Sequence, residues 1–121
     1  FTFGRSRLDF CLQGPQGLHL VEVKGVTLED GGHALFPDAP TERGVRHLRE
    51  LASAVALGHR ATVFFVIQMA EVTDFAPNDA THPAFGEALR QAVAAGVQAA
   101  AYTCRVAPDS IVIDRPVPVI L

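Results

Sequence analysis

The sequence predicts an α/β domain, a mixed β-sheet with helices packed against it. Aliphatic runs of strand length, foremost "ATVFFVIQ" at 61–68, are interspersed with two segments whose apolar residues recur at helical spacing. Turn and capping residues separate these segments. The resulting order, strand, strand, helix, strand, helix, strand, strand, gives a mixed sheet covered by helices.

The elements follow in order. "RSRLDFCL" (5–12) and "LHLVEVKGVTLE" (18–29) flank the cluster "QGPQG" and read as a hairpin. The stretch 29–40, with Gly31-Gly32 and two prolines, reads as a loop. Thr41 is placed to cap a helix whose apolar stripe is Val45, Leu48, Leu51, Ala52 and Val55, with Gly58 as its stop. The run 61–68 is continuously apolar, as expected of an interior strand covered on both faces. Residues 70–82 read as a loop. Pro83 suits the first turn of a second helix lined by Phe85, Leu89, Ala92 and Val93 and closed by Gly96. "AAAYTCRV" (99–106) and the segment from Ser110 form a last strand pair. Pro116 and Pro118 confine its second member to an edge or to its own ending.

Composition narrows the function classes. A chain of 121 residues has the length of one domain. It opens on Phe1 rather than Met, as expected of a piece excised from a longer chain. A net charge of −3 removes a global basic footprint for nucleic acid, leaving room for a local patch. Cys11 and Cys104 have no paired spacing and read as reduced thiols, and the longest aliphatic run is far too short to cross a bilayer. The expectation is a soluble, cytoplasmic protein with no membrane partner. Oligomeric state is not set by these features, a homodimer being one option. The histidines lack HxxxH or Cys/His spacing, which counts against zinc, and His82 before Pro83 reads as a cap or loop residue. A GxSxG elbow and a Gly-rich phosphate loop are both missing.

The first hairpin carries the chemistry. Glu22 and Lys24 are two apart in a strand and share a face. With an even loop of about two or four residues centred after Pro15, Asp9 lies opposite Glu22 and Arg7 opposite Lys24. Directly opposed residues have Cβ atoms roughly 4.5–5.5 Å apart. Two carboxylates that close repel, and burial penalises each ionised form. Lys24 offsets part of this, and a hard divalent cation held by one or two carboxylates with retained waters answers the rest. Asp followed one strand later by Glu-x-Lys is an arrangement suited to metal-dependent phosphodiester hydrolysis. On a solvated face the same Glu-x-Lys would be an exposed pair worth about 0–1 kcal/mol.

The blocks "GRSRLDF" (4–10), "VEVKGVTL" (21–28), "ALFPDAPTERGVRHLREL" (34–51) and "FFVIQ" (64–68) resemble the sugar fermentation stimulation protein family. "FPDAPTERG" is the most specific of them, since no fold constraint demands it. The resemblance implies a restriction-endonuclease-like, PD-(D/E)xK mixed sheet with flanking helices, normally preceded by an OB-like domain that is not in this sequence. It implies Asp9, Glu22 and Lys24 as the motif's Asp, Glu and Lys, with Mg2+ or Mn2+ held by Asp9, Glu22 and the carbonyl of Val23. It also places Gln68 toward the site. The helix that supplies an acidic residue in many such nucleases would precede Phe1.

The sequence is therefore read as a DNA-binding, nuclease-like domain. Asp9 and Glu22 bind the metal, Lys24 assists the attacking water, and the expected reaction is hydrolysis of DNA phosphodiesters. A DNA-binding regulator of sugar metabolism genes that keeps the constellation without cleaving is the alternative. Arg43, Arg46, His47 and Arg49 crowd the first half of the first helix, where they are expected either to form a solvated face or to touch phosphates, with Thr41 and its neighbouring amides adding a helix-terminus contact.

Overall fold

The computed structural model describes the chain except residues 1, 4, 5, 8 and 16, and describes the backbone alone at 2, 3, 6, 7, 10 and 106. A short ribbon of β1 (Thr2–Phe3) and β2 (Ser6–Arg7) leads into β3 (Phe10–Gly14), which turns into β4 (Gly17–Val26). Gly14 pairs with Gly17, so the loop holds two residues, and Phe10 pairs with Val21, the register derived from the sequence. Hairpin pairing stops at Phe10, however, because the chain bends at Asp9. Arg7 therefore pairs with Thr2 rather than Lys24, which corrects the expected opposition, and its side chain lies outside the described residues.

Two segments expected as loops contain strands. After β4 the chain continues as β5 (Leu28–Asp30) and returns as β6 (His33–Phe36). The two residues between them, Gly31 at φ 59° and Gly32 at φ 88°, provide the two positive φ values of a tight hairpin turn. Helix α1 (Glu42–Ala56) follows, then β7 (Arg60–Ile67), and β8 (Asp74–Pro77) runs parallel to β6. A three-stranded sheet, β5-β6-β8, results. Helix α2 (Pro83–Ala95), β9 (Gln98–Ala107) and β10 (Ser110–Val117) complete the chain.

The main sheet has the order β10-β9-β7-β4-β3. Strands β4, β7 and β9 are parallel neighbours, and the two links between them run through α1 and α2, as parallel pairing requires. β10 is the edge strand that its prolines demand, with a register shift between Ile113 and Pro116.

Local chemistry sets both helix ends. The Thr41 hydroxyl accepts the Gly44 N–H at 2.9 Å, and Gly58 and Gly96 stop the helices at φ 93° and 112°. α2 begins with a proline in its first turn and has His82 at its N-cap. The His82 imidazole accepts the Thr41 N–H through Nδ1 at 3.1 Å, so it ties the two helix starts together.

The core lies between the helices and one face of the sheet: Leu20 and Val26 of β4, Phe65 and Ile67 of β7, Leu51 of α1 and Leu89 of α2 are all fully buried. Strand β7 alternates strictly, its odd residues buried and its even ones mostly half-exposed, so only one face is fully covered, contrary to the two-faced expectation. On the other face Phe64 stacks on Tyr102 with ring centroids 5.2 Å apart. Cys104 is buried, Cys11 is half-buried, and both are free thiols. No helix among the described residues is long and apolar enough to cross a membrane.

Candidate metal centre

The pleat of β4 decides where its charges go. Leu20, Glu22, Lys24 and Val26 share the face that packs against the helices, so Glu22 enters the edge of an apolar core and is only 3% exposed. Lys24 remains 13% exposed at its side chain. Asp9, at the bend before β3, is exposed, and its Oδ2 accepts the Val23 N–H at 2.8 Å, taking the place of a ladder bond. The hairpin thus brings Asp9, Glu22 and Lys24 to one place. Val23 contributes its backbone between the two acids.

A fourth side chain joins them from above. His47 of α1 is 1% exposed, and its Nδ1 stands 3.2 Å from Glu22 Oε1 and 3.1 Å from Lys24 Nζ, while Lys24 Nζ is 3.4 Å from the same Oε1. This corrects the grouping of His47 with the exposed arginines. The helix buries Gly44, Val45, His47, Leu48, Leu51 and Ala54, so the stripe is rotated from the one read in the sequence and His47 falls within it. The available signal was its spacing, four residues before Leu51 and three after Gly44. A small residue at 44 lets α1 lie against Thr41 and Phe85, since a Cβ there would lie 2.9 Å from Thr41 Cγ2 and 3.2 Å from the Phe85 ring.

Electrostatics follow from burial. Desolvation raises the Glu22 carboxyl above its ordinary value, the Lys24 charge pulls it back down, and the Asp9 carboxylate adds to the rise. Burial, reinforced by the charges of Lys24, Arg43 and Arg46, lowers His47 to about 4, so its imidazole is neutral at pH 7. Glu22 Oε2 is buried without a hydrogen-bond partner among the described residues. A carboxylate oxygen in that position costs free energy unless a cation or donor meets it. The acidic oxygens therefore fit a hard divalent ion: an orphaned Oε2 and, at the bend beside it, the exposed Asp9 carboxylate. No cluster of three or more His, Cys, Asp or Glu side chains suited to a metal occurs among the described residues, so waters would have to complete any coordination shell.

The remaining expected site residues lie nearby or are otherwise engaged. Arg43, Arg46 and Arg49 are exposed along one side of α1, and none is in an ion pair among the described residues. Thr41 is committed to capping, its hydroxyl to Gly44 and its N–H to His82. Gln68 is exposed just past β7, its backbone N–H donating to the Val26 carbonyl and its amide lying against Gly25.

Comparison with known proteins agrees with this architecture. Residues 1–110 match the model of the sugar fermentation stimulation protein RE domain. A sugar fermentation stimulation protein homolog from Desulfitobacterium hafniense strain Y51 is 59% identical over 110 residues, covering 91% of this chain and 48% of the relative. One from Clostridium perfringens strain SM101 is 50% identical over 121 residues, covering 99% and 53%. The chain thus spans about half the length of the curated relatives it matches. The solved structure of Pyrococcus furiosus SfsA in complex with Ca2+ superposes with a TM-score of 0.92 at 31% identity, over 99% of this chain and 52% of that one. Its fold is nuclease-like, as is the curled mixed sheet with two helices described above. With sequence, family model and fold in agreement, the chain belongs to the sugar fermentation stimulation protein family.

Proposed function

We propose that this chain is a DNA-binding domain with a divalent-metal site at Asp9 and Glu22, and that it hydrolyses DNA phosphodiesters with the help of Lys24. The observation that carries the reading is Glu22 Oε2, a buried carboxylate oxygen with no hydrogen-bond partner among the described residues, on the same face as Lys24 and beside Asp9. The Ca2+ in the solved SfsA structure supports a divalent ion in this fold. Asp9, Glu22 and the Val23 carbonyl would hold Mg2+ or Mn2+. The chemistry such a cation supplies is polarisation of a phosphoryl oxygen and acidification of water. Lys24 orients the attacking water and offsets the negative charge that develops on the phosphoryl oxygens. His47 and the apolar floor beneath Glu22 exclude bulk water from the acids' inner side and so strengthen each of these interactions.

Metal titration by calorimetry followed by nicking of supercoiled plasmid tests the assignment. Metal-dependent nicking that falls by about 10²–10⁴ in Asp9→Ala and Lys24→Ala is the expected result. Unchanged nicking in Lys24→Ala removes its role in the chemistry.

A second reading, DNA binding without cleavage by a regulator of sugar metabolism genes, draws on a different observation. Arg43 and Arg46 are exposed at the start of α1, where cations oppose the helix dipole, and their charges reach His47 in the site below. Lys24 acts on the same imidazole, so the three cations together would form a small basic patch. Replacing both arginines by alanine should reduce the slope of log K against log salt by roughly two for duplex DNA. An unchanged slope takes α1 out of the interface.

A further inference from the structure

We propose that His47 is a positioning residue: its imidazole accepts an N–H from Lys24, holds the ammonium back from Glu22, and so keeps the Glu22 carboxylate available to a cation. The inference rests on the reading of Asp9 and Glu22 as a metal site and adds the side chain that governs competition for it.

Lys24 Nζ, His47 Nδ1 and Glu22 Oε1 form a nearly equilateral triangle with sides of 3.1, 3.2 and 3.4 Å. Seen from Nζ, the two corners lie closer together than two N–H bonds of a tetrahedral ammonium, so at most one of the two contacts can be a straight hydrogen bond. The shorter contact goes to the imidazole. Lysine has donors only, so a hydrogen bond at this contact makes Nδ1 the acceptor and puts the ring proton on Nε2, the tautomer the proposal requires. The contact to Glu22 is left at 3.4 Å, well beyond the roughly 2.7–2.9 Å of a charge-assisted N–H to carboxylate bond. Glu22 is thus only partly neutralised by its own lysine, and its second oxygen has no partner among the described residues.

The fold enforces this division. The pairing of β4 with β7 fixes the Lys24 backbone and His47 is fully buried on α1, so the one part able to swing is the Lys24 side chain. With the imidazole gone, Lys24 would close on Oε1 and make a full ion pair in a nearly dry site. A cation would then have to displace that pair before using Glu22. Partners of this kind outside the ligand set alter metal affinity by about 10–100-fold.

Ca2+ and Mn2+ affinities of the whole chain, measured by calorimetry, test the idea with His47→Leu, which removes the acceptor, and His47→Asn, which keeps one near Nδ1. His47→Leu should bind Ca2+ about tenfold or more weakly, and His47→Asn should recover most of that loss. In a Lys24→Met background the His47→Leu change should alter affinity less than about twofold, because the competitor is gone. An equal loss in both backgrounds would show that His47 acts by packing alone and would overturn the proposal. The ring nitrogen shifts of His47 in the metal-free wild type provide a readout independent of folding of the variants. Unprotonated Nδ1 and protonated Nε2 are expected; the opposite tautomer overturns the proposal. A wild type that binds neither ion would instead defeat the metal-site reading, with the tautomer still deciding whether His47 holds Lys24.

Discussion

Replacing Glu22 by glutamine should eliminate measurable Ca2+ binding, lower any metal-dependent cleavage by at least roughly 10²–10³-fold, and yet stabilise the metal-free protein at neutral pH. The two effects have one cause. The folded protein raises the Glu22 carboxyl above its ordinary value, mainly through burial. The native state therefore holds that proton more tightly than the unfolded chain does. Stability from this group is fully present below the unfolded value near 4.5 and is lost as pH rises through the higher folded one. Above that range the buried carboxyl opposes folding, and its Oε2 has no hydrogen-bond partner among the described residues. Glutamine keeps the shape, offers oxygen to Lys24 and an amide donor toward Asp9, and removes the charge. The gain should be roughly 1–3 kcal/mol at pH 7, the cost of one buried polar atom left without a partner, and should vanish at pH 4. Thermal melts across this range with and without Ca2+ check both halves. Wild type should gain stability with Ca2+ and Glu22→Gln should not, so that the order of the two melting temperatures reverses at saturating metal. A Glu22→Gln protein that is less stable at pH 7 without metal, or that still binds Ca2+, would show that the carboxylate is structural.

His47 titrates in the opposite sense. Its folded value of about 4 lies below the ordinary 6.5, so the stability that depends on its neutral form is present above 6.5 and is lost as pH falls toward 4. Glu22 gains from acidification over part of the window in which His47 loses. A melt series on wild type alone would record only their sum, which is why the single variant is needed to separate them.

Much of this site was legible in the sequence, because strand geometry has few free parameters. Once the turn after Gly14 holds an even number of residues, the register follows and Asp9 must approach Glu22 across the hairpin. What pairing rules could not convey was the bend at Asp9, which hands Arg7 to Thr2 and lets the Asp9 carboxylate reach the Val23 N–H. Glu-x-Lys gives two charges on one face without saying which face. Their entry into the core is a tertiary fact, set by the parallel pairing of Glu22 with Val63 and Lys24 with Phe65. His47 was hidden for a related reason. A polar residue flanked by arginines reads as surface, and only the packed orientation of α1 shows that the buried stripe passes through it. The second sheet was missed at Gly31-Gly32, where an Asp-Gly-Gly sequence is itself a hairpin signal but was outweighed by nearby prolines.

Phe65→Ala should have the largest effect on stability of any single change in the main sheet, about 3–5 kcal/mol, lowering the melting temperature by roughly 10–20 °C. Phe65 is fully buried at the centre of β7, stacked on Phe75 at 4.2 Å and edge-on to Phe85 at 6.5 Å, with Phe36 at 5.9 Å. It joins β6, β8 and α2 to the main sheet, so truncation opens a cavity where four elements meet and none can collapse without moving another. In the parallel register it stands beside Lys24, and loss of its ring should loosen the strand that aims the ammonium. Phe64→Ala is the informative control. That ring points to the opposite face, is only half-buried, and stacks on Tyr102. Its removal should cost about 1–2 kcal/mol, the lost stack plus partial burial. Denaturant unfolding of both variants measures the asymmetry. Equal losses would mean that the two faces of β7 are equally covered, and the single-sided core that forces Glu22 and Lys24 against α1 would no longer account for the site.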